Sequence, residues 1–321
     1  MGRSFIVFGT VTLLMCGCSD NGPATPTTVT RALAPSQIAA GTVLTIVSGE
    51  TGMPVPNARV EIAGKSFAAD ADGRLALAEP FAPDSTLDIV DPGFLDRQTR
   101  LREPAASTRY PLWPRTSPTT GLDETSTFEL SYGTLDRSRS MMRIVQGTRT
   151  AYIVPSPQIR ADAGSMERIR QTAETMTSIT HDEIQFVVVD EAPADVVAFE
   201  LVIDPGDPAL VGAIAVAKRR LRNWSIIGGT VVYGTLGTVR TSTTAHELGH
   251  MFGLAHSSSR EDVMQPGRSN RAEGFSAREA LTMRLMLKRP AGNEMPDNDR
   301  NASPSALRAP DAVWLSVIAC R

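Results

Sequence analysis

His246-Glu247-Leu248-Gly249-His250-Met251-Phe252-Gly253-Leu254-Ala255-His256 is one uninterrupted stretch, and it holds three of the four histidines in a chain of 321 residues. His246 and His250 are four positions apart, so a helix sets them one above the other on a single face. Two imidazoles so placed can share one metal ion. A third histidine further along the same straight helix does not close a tetrahedron. Gly253 supplies the way out, because glycine accepts positive φ, ends the helix and turns the chain so that His256 takes the third corner. Three protein ligands leave the fourth position to water, the pattern of a catalytic rather than a structural zinc. Glu247 sits about 100° round the helix from His246, which directs it at that water as a general base and not at the metal. Singly, each histidine reads as a core or hydrogen-bonded residue; the joint spacing of the motif is what favours metal-assisted hydrolysis.

The flanks fit this reading. Residues 225–233 read as a strand ahead of the helix, and Thr241-Ser242-Thr243-Thr244 offers N-cap candidates. Downstream comes Asp262-Val263-Met264-Gln265-Pro266, then a run from Phe275 to Lys288 with apolar residues at helical spacing. The motif and the methionine turn resemble the metzincin clan of zinc endopeptidases, and Leu254 and Ser257 resemble its matrixin-like branch. The resemblance implies an α+β domain over residues 128–290, a twisted mixed sheet with an active-site helix, and one catalytic zinc on His246, His250 and His256. It also implies that Met264 is a hydrophobic floor under the metal and not a ligand. The upstream histidines that hold a second, structural zinc in vertebrate matrixins are not matched, since only His181 stands upstream, and it reads as a surface or helix-capping residue. By the same resemblance, the strand that carries substrate is residues 211–217, where Gly212, Ala213 and Ala215 would let a peptide lie close.

The front of the chain reads as a targeting segment. A short basic start at Arg3 and an apolar run from Phe5 to Met15 lead into Met15-Cys16-Gly17-Cys18, which resembles a bacterial lipoprotein signal with Cys18 as the lipidated residue. The expected location is the cell envelope, the outer membrane in a Gram-negative host, with residues 19–37 as a flexible tether. Residues 38–112 alternate in short strands and resemble a small carboxypeptidase-regulatory-like or transthyretin-like β-sandwich, all-β in class. Asp70-Ala71-Asp72-Gly73 reads as a hairpin turn; structural calcium there lacks the other ligand positions. Residues 113–127 are proline- and threonine-rich and read as a linker, and residues 291–321 as a polar tail ending in a short apolar strand-like segment.

With a net charge of −3 there is no basic footprint for nucleic acid. The expected partners are therefore protein or peptide substrates, and the membrane through the lipid anchor. The rival reading is a binding or adhesion lipoprotein in which the sandwich is the working module and the zinc domain is weak; the intact Glu247 favours the peptidase. If Cys18 is the anchor, Cys18→Ala abolishes lipidation and mislocalises the protein, whereas Cys16→Ala does neither. An acyl chain found by mass spectrometry on Cys16 contradicts this assignment.

Overall fold

Alternation of apolar and polar residues builds the first sheets of the computed structural model, which describes residues 37–102, 109–267, 272–301 and 313–320. Cys16 and Cys18 lie outside the described residues. In Val43–Ser48 (β1) and Arg59–Ile62 (β2), Leu44, Ile46, Val60 and Ile62 point inward and are at most 1% exposed. Lys65–Ala68 (β3), Arg74–Ala76 (β4), Thr86–Val90 (β5), Arg97–Arg100 (β6) and Arg109–Leu112 (β7) complete two sheets, ordered β4-β1-β7 and β3-β2-β5-β6, around one apolar core. Asp70 turns the chain into β4: its Oδ1 accepts from the N–H of Asp72 at 2.9 Å and of Arg74 at 2.8 Å.

The second part opens with Glu124–Tyr132 (α1), whose N-cap Asp123 accepts from the Ser126 N–H at 2.7 Å. Arg143–Ile144 (β8), Thr150–Pro155 (β9), Pro157–Arg160 (α2), Ala163–Ile179 (α3), Gln185–Val188 (β10) and Val197–Ile203 (β11) follow. Then come Ala215–Arg222 (β12), Ser225–Tyr233 (β13), Thr241–Phe252 (α4), Ala277–Leu287 (α5) and Trp314–Cys320 (β14). One sheet runs β10-β9-β11-β13-β12-β14, with β8 pairing β13; β12 pairs antiparallel with both of its neighbours, β13 and β14, and the other pairs are parallel. Ile169, Ala173 and Met176 of α3 and Leu248, Met251 and Phe252 of α4 share a core with Ile153, Phe199 and Val231 of the sheet. Helix α4 is thereby held against β12 and β13.

Three expectations need correction. The strand expected over residues 211–217 begins at Ala215 and extends to Arg222. Asp207 caps a single 3-10 turn at Pro208–Leu210, the Ala213 N–H bonds Leu210 O at 2.9 Å, and Gly212 takes φ 76, so Gly212 and Ala213 lie in a turn. Gly212, a residue equally suited to an open strand, is used here for positive φ.

Residues 113–122 also fail to behave as a loose connector. Trp113 is fully buried, against Tyr132 and under the Arg289 guanidinium, which lies 5.1 Å from its ring centroid.

The polar stretch after α5 is likewise built in. Arg289 grips Asp297 through two contacts of 2.6 Å, Asn293 donates to the same carboxylate at 3.0 Å, and Arg97 of β6 reaches Asp297 at 3.3 Å and Asp299 at 2.9 Å. The backbone of residues 297–299 brackets Gln98, with the Gln98 N–H on Asp297 O and the Asp299 N–H on Gln98 O, both at 2.9 Å. Burial alone would raise the Asp297 carboxyl; Arg289 and Arg97 reverse that and hold it below the ordinary carboxylate range. Asp297→Ala leaves Arg97 and Arg289 buried without their shared counter-charge, and the expected loss is about 3–5 kcal/mol. Urea unfolding monitored by tryptophan fluorescence measures it; a loss within experimental scatter contradicts the role given to this network.

Candidate metal centre

Helix α4 follows β13 after a short turn, and Arg240 is its N-cap, so the four residues from Thr241 fall inside the first turn. His246, Glu247 and His250 are all buried, Glu247 and His250 completely. The helix stops at Gly253, whose N–H reaches Gly249 O and His250 O, both at 3.1 Å. Gly253 has φ 130, and a Cβ at this position would lie 2.2 Å from the Met142 carbonyl oxygen. Glycine is therefore required twice, for the backbone angle and for the close approach to the chain entering β8. The turn carries His256 back, with its ring centroid 4.8 Å from that of His250 and 5.5 Å from that of His246. One ligand atom from each of the three lies within 4.8 Å of the others.

The hydrogen bonds behind the rings decide which nitrogens face the centre. His246 Nδ1 lies 2.6 Å from Val263 O and His250 Nδ1 lies 2.8 Å from Leu254 O. A carbonyl only accepts, so both Nδ1 atoms carry the proton and both Nε2 atoms present lone pairs. Those two Nε2 atoms are 3.1 Å apart. With no proton between them they repel, and a shared cation removes the conflict: tetrahedral ligands at zinc–nitrogen distances of about 2.0–2.1 Å stand roughly 3.3 Å apart. His256 Nδ1 is 2.9 Å from Asp136 Oδ1, and its Nε2 is buried with no hydrogen-bond partner. The three residues fit zinc on this geometry. Desolvation takes His246 down to about 4, and desolvation with the neighbouring histidines takes His250 well below its ordinary value, so both are neutral, ligand-competent imidazoles at pH 7.

The floor is built from the methionine turn. Met264 is fully buried beneath α4, and a Cβ on Gly249 would come within 2.5 Å of its sulfur. Glu279, in the first turn of α5, holds the turn in place: its carboxylate accepts from the N–H of Met264 at 2.7 Å, of Val263 at 3.2 Å and of Ser276 at 2.7 Å. Val263 O is also the acceptor for His246, so α5 orients a metal ligand through the turn. Burial, together with the nearby Asp262, raises the Glu279 carboxyl to about 7 against these backbone donors. Asp262 itself is fully buried and is gripped by Arg278 at 2.8 Å and by the Ser257 and Ser276 hydroxyls.

Sequence pattern missed three participants. Asp136 is 120 positions from His256 and sits in a turn with no motif around it. Its carboxyl would be raised by burial, but its hydrogen bonds to His256 hold it below the ordinary range. Arg219 of β12 is 3% exposed and carries its charge close to His250 and Asp136. Strand β14 supplies Ser316, Val317 and Ile318 to a cavity of about 470 Å³ that also reaches His256, Asp136 and Arg219. His181 is exposed in the turn after α3, far from the triad's role, as its surface reading implied.

Comparison with known families agrees with this geometry. The Matrixin family model matches residues 152–279, from β9 into α5. The match and the histidine triad together support a metzincin-like metallopeptidase, a hydrolase whose family implies catalytic zinc. A comparison with curated proteins finds no match.

Asp136 should act as a positioning residue for His256. Asp136→Ala is expected to weaken zinc binding about 10–100-fold, as loss of a partner behind a ligand does. Competition with a chromogenic chelator reads this directly, without peptidase activity. An unchanged zinc affinity in a folded variant would contradict it.

Proposed function

We propose that this chain is a zinc-dependent endopeptidase that cleaves extended segments of extracellular or cell-envelope proteins, with Glu247 as general base. The observation that carries the reading is the set of three buried imidazoles whose Nε2 atoms converge next to a fully buried glutamate on the same helix. Zinc bound there supplies Lewis-acid activation of water and of the scissile carbonyl. The protein residues do the rest. Val263 O, Leu254 O and Asp136 fix the tautomers and the ring planes of the three histidines. Glu247 takes a proton from water at its carboxylate and returns it to the leaving amine nitrogen. Its charge is felt by Tyr233 of β13, whose phenol is raised chiefly by burial and further by Glu247, so this tyrosine stays protonated.

The site of action follows from the front of the sequence: Gly17-Cys18 after a short apolar run supports a lipid-anchored envelope protein. Glu247→Gln preserves the ligands and removes the base. It should retain one zinc per chain while turnover of an unfolded protein substrate falls by at least about 10²-fold. His250→Ala should lose both zinc and turnover. Wild-type turnover in Glu247→Gln would sink the mechanism.

A further inference from the structure

An exposed strand edge is a row of unpaired N–H and C=O groups, and an extended peptide can add to it as one more strand. Strand β12 has β13 on one side, and on the other it would present such an edge beside the metal centre. In this chain the edge is taken. Strand β14 runs antiparallel along it in seven registered pairs, from Ala215 opposite Cys320 to Leu221 opposite Trp314. One side-chain bond pins the pairing: Arg219 Nη2 donates to Ser316 Oγ at 2.8 Å. Ser316, Val317 and Ile318 wall the same cavity that His256 and Asp136 line, so the strand passes beside the third metal-site histidine and its carboxylate partner.

β14 is held differently from the central strand β13. Leu315 is 58% exposed and Val317 46%, whereas Val231 and Tyr233 of β13 are fully buried. The face that carries Leu315 and Val317 thus adds little apolar burial to the backbone ladder and the Arg219–Ser316 bond, and Ile318 on the other face is half-buried. Ladder bonds can be traded one for one with another extended chain at small net cost, since each bond lost is replaced by an equivalent one. A strand anchored by a deep apolar face would not exchange in this way.

We propose that the chain's own C-terminal strand, Trp314–Cys320, is a resident occupant of the peptide-binding edge of β12 and must leave before an extended protein segment can pair there. The proposal rests on the peptidase reading for what the displaced peptide is used for, but not for the occupancy itself. The place of Ser316 also defines a contact that an incoming chain meets: a residue opposite Arg219 that offers an oxygen acceptor pairs best.

The test uses the zinc-loaded full chain and a chain ending at residue 312. The probe is a fluorescent peptide of residues 313–321 with serine in place of Cys320. The peptide should bind the shortened chain at least tenfold more tightly than the full chain, and a probe carrying Ser316→Ala should bind the shortened chain more weakly. With an unfolded protein substrate, KM of the shortened chain should fall at least about fivefold with kcat nearly unchanged, and added peptide should restore the higher KM competitively. Adjacent residues of a strand alternate in the direction of their N–H groups. One of Ser316→Pro and Val317→Pro in the full chain therefore removes a ladder donor, and that variant should lower KM even if the shortened chain does not fold. Equal probe binding by the two chains, or an unchanged KM in both proline variants, overturns the proposal. If the probe binds only the shortened chain and extended peptides compete with it, yet no chain hydrolyses anything, the occupancy stands and the peptidase reading falls.

Discussion

Each histidine of the triad gives its Nδ1 proton to an acceptor that belongs to a different part of the chain: the methionine turn, the loop after Gly253, and Asp136 beyond α1. That constraint converts three flexible side chains into a fixed set of lone pairs. It also explains features that look remote from the metal. Helix α5 and its capping pair Ser276 and Glu279 hold the turn that offers Val263 O. The steric demand at Gly253 sets where Leu254 O and His256 fall. Lone pairs that face one another across 3.1 Å suit a cation held between them.

The motif made α4 and its ligands legible in the sequence, because helical spacing and a helix-ending glycine are local properties. Strand β13 and helix α5 were legible from local sequence as well, the one as an apolar run and the other as apolar residues at helical spacing. Asp136 was not, since nothing local distinguishes it from any aspartate in a surface turn. The strand expected at residue 211 failed because glycine and alanine suit both an open strand and a positive-φ turn, and the cap from Asp207 decided for the turn. The apolar end of the chain was legible as a strand, but its partner β12 lies about a hundred positions away, and pairing at that range leaves no trace in one sequence.

The charged stretch after α5 carries a related lesson. Asp297, Asp299 and Arg289 read as solvated residues by composition, yet they are at most 3% exposed. Charges enter a protein interior when they bring their counter-charges with them. Here Arg289 comes from the end of α5 and Arg97 from β6, and the two guanidinium groups would repel without the aspartates between them. The network ties the first pair of sheets to the chain that leaves the metal domain, which makes the two halves one packed body over the described residues.

That clamp joins residues 200 and 202 positions apart. Contacts of such long range close late, after the loop entropy between them has been overcome. During synthesis, amino end first, Arg97 has neither aspartate to pair with until residue 297 has emerged. The first pair of sheets stands without this clamp while the zinc-binding helix is made behind it. Order of emergence thus makes this clamp a late contact, one that a chain made from its amino end cannot close until both of its distant halves exist.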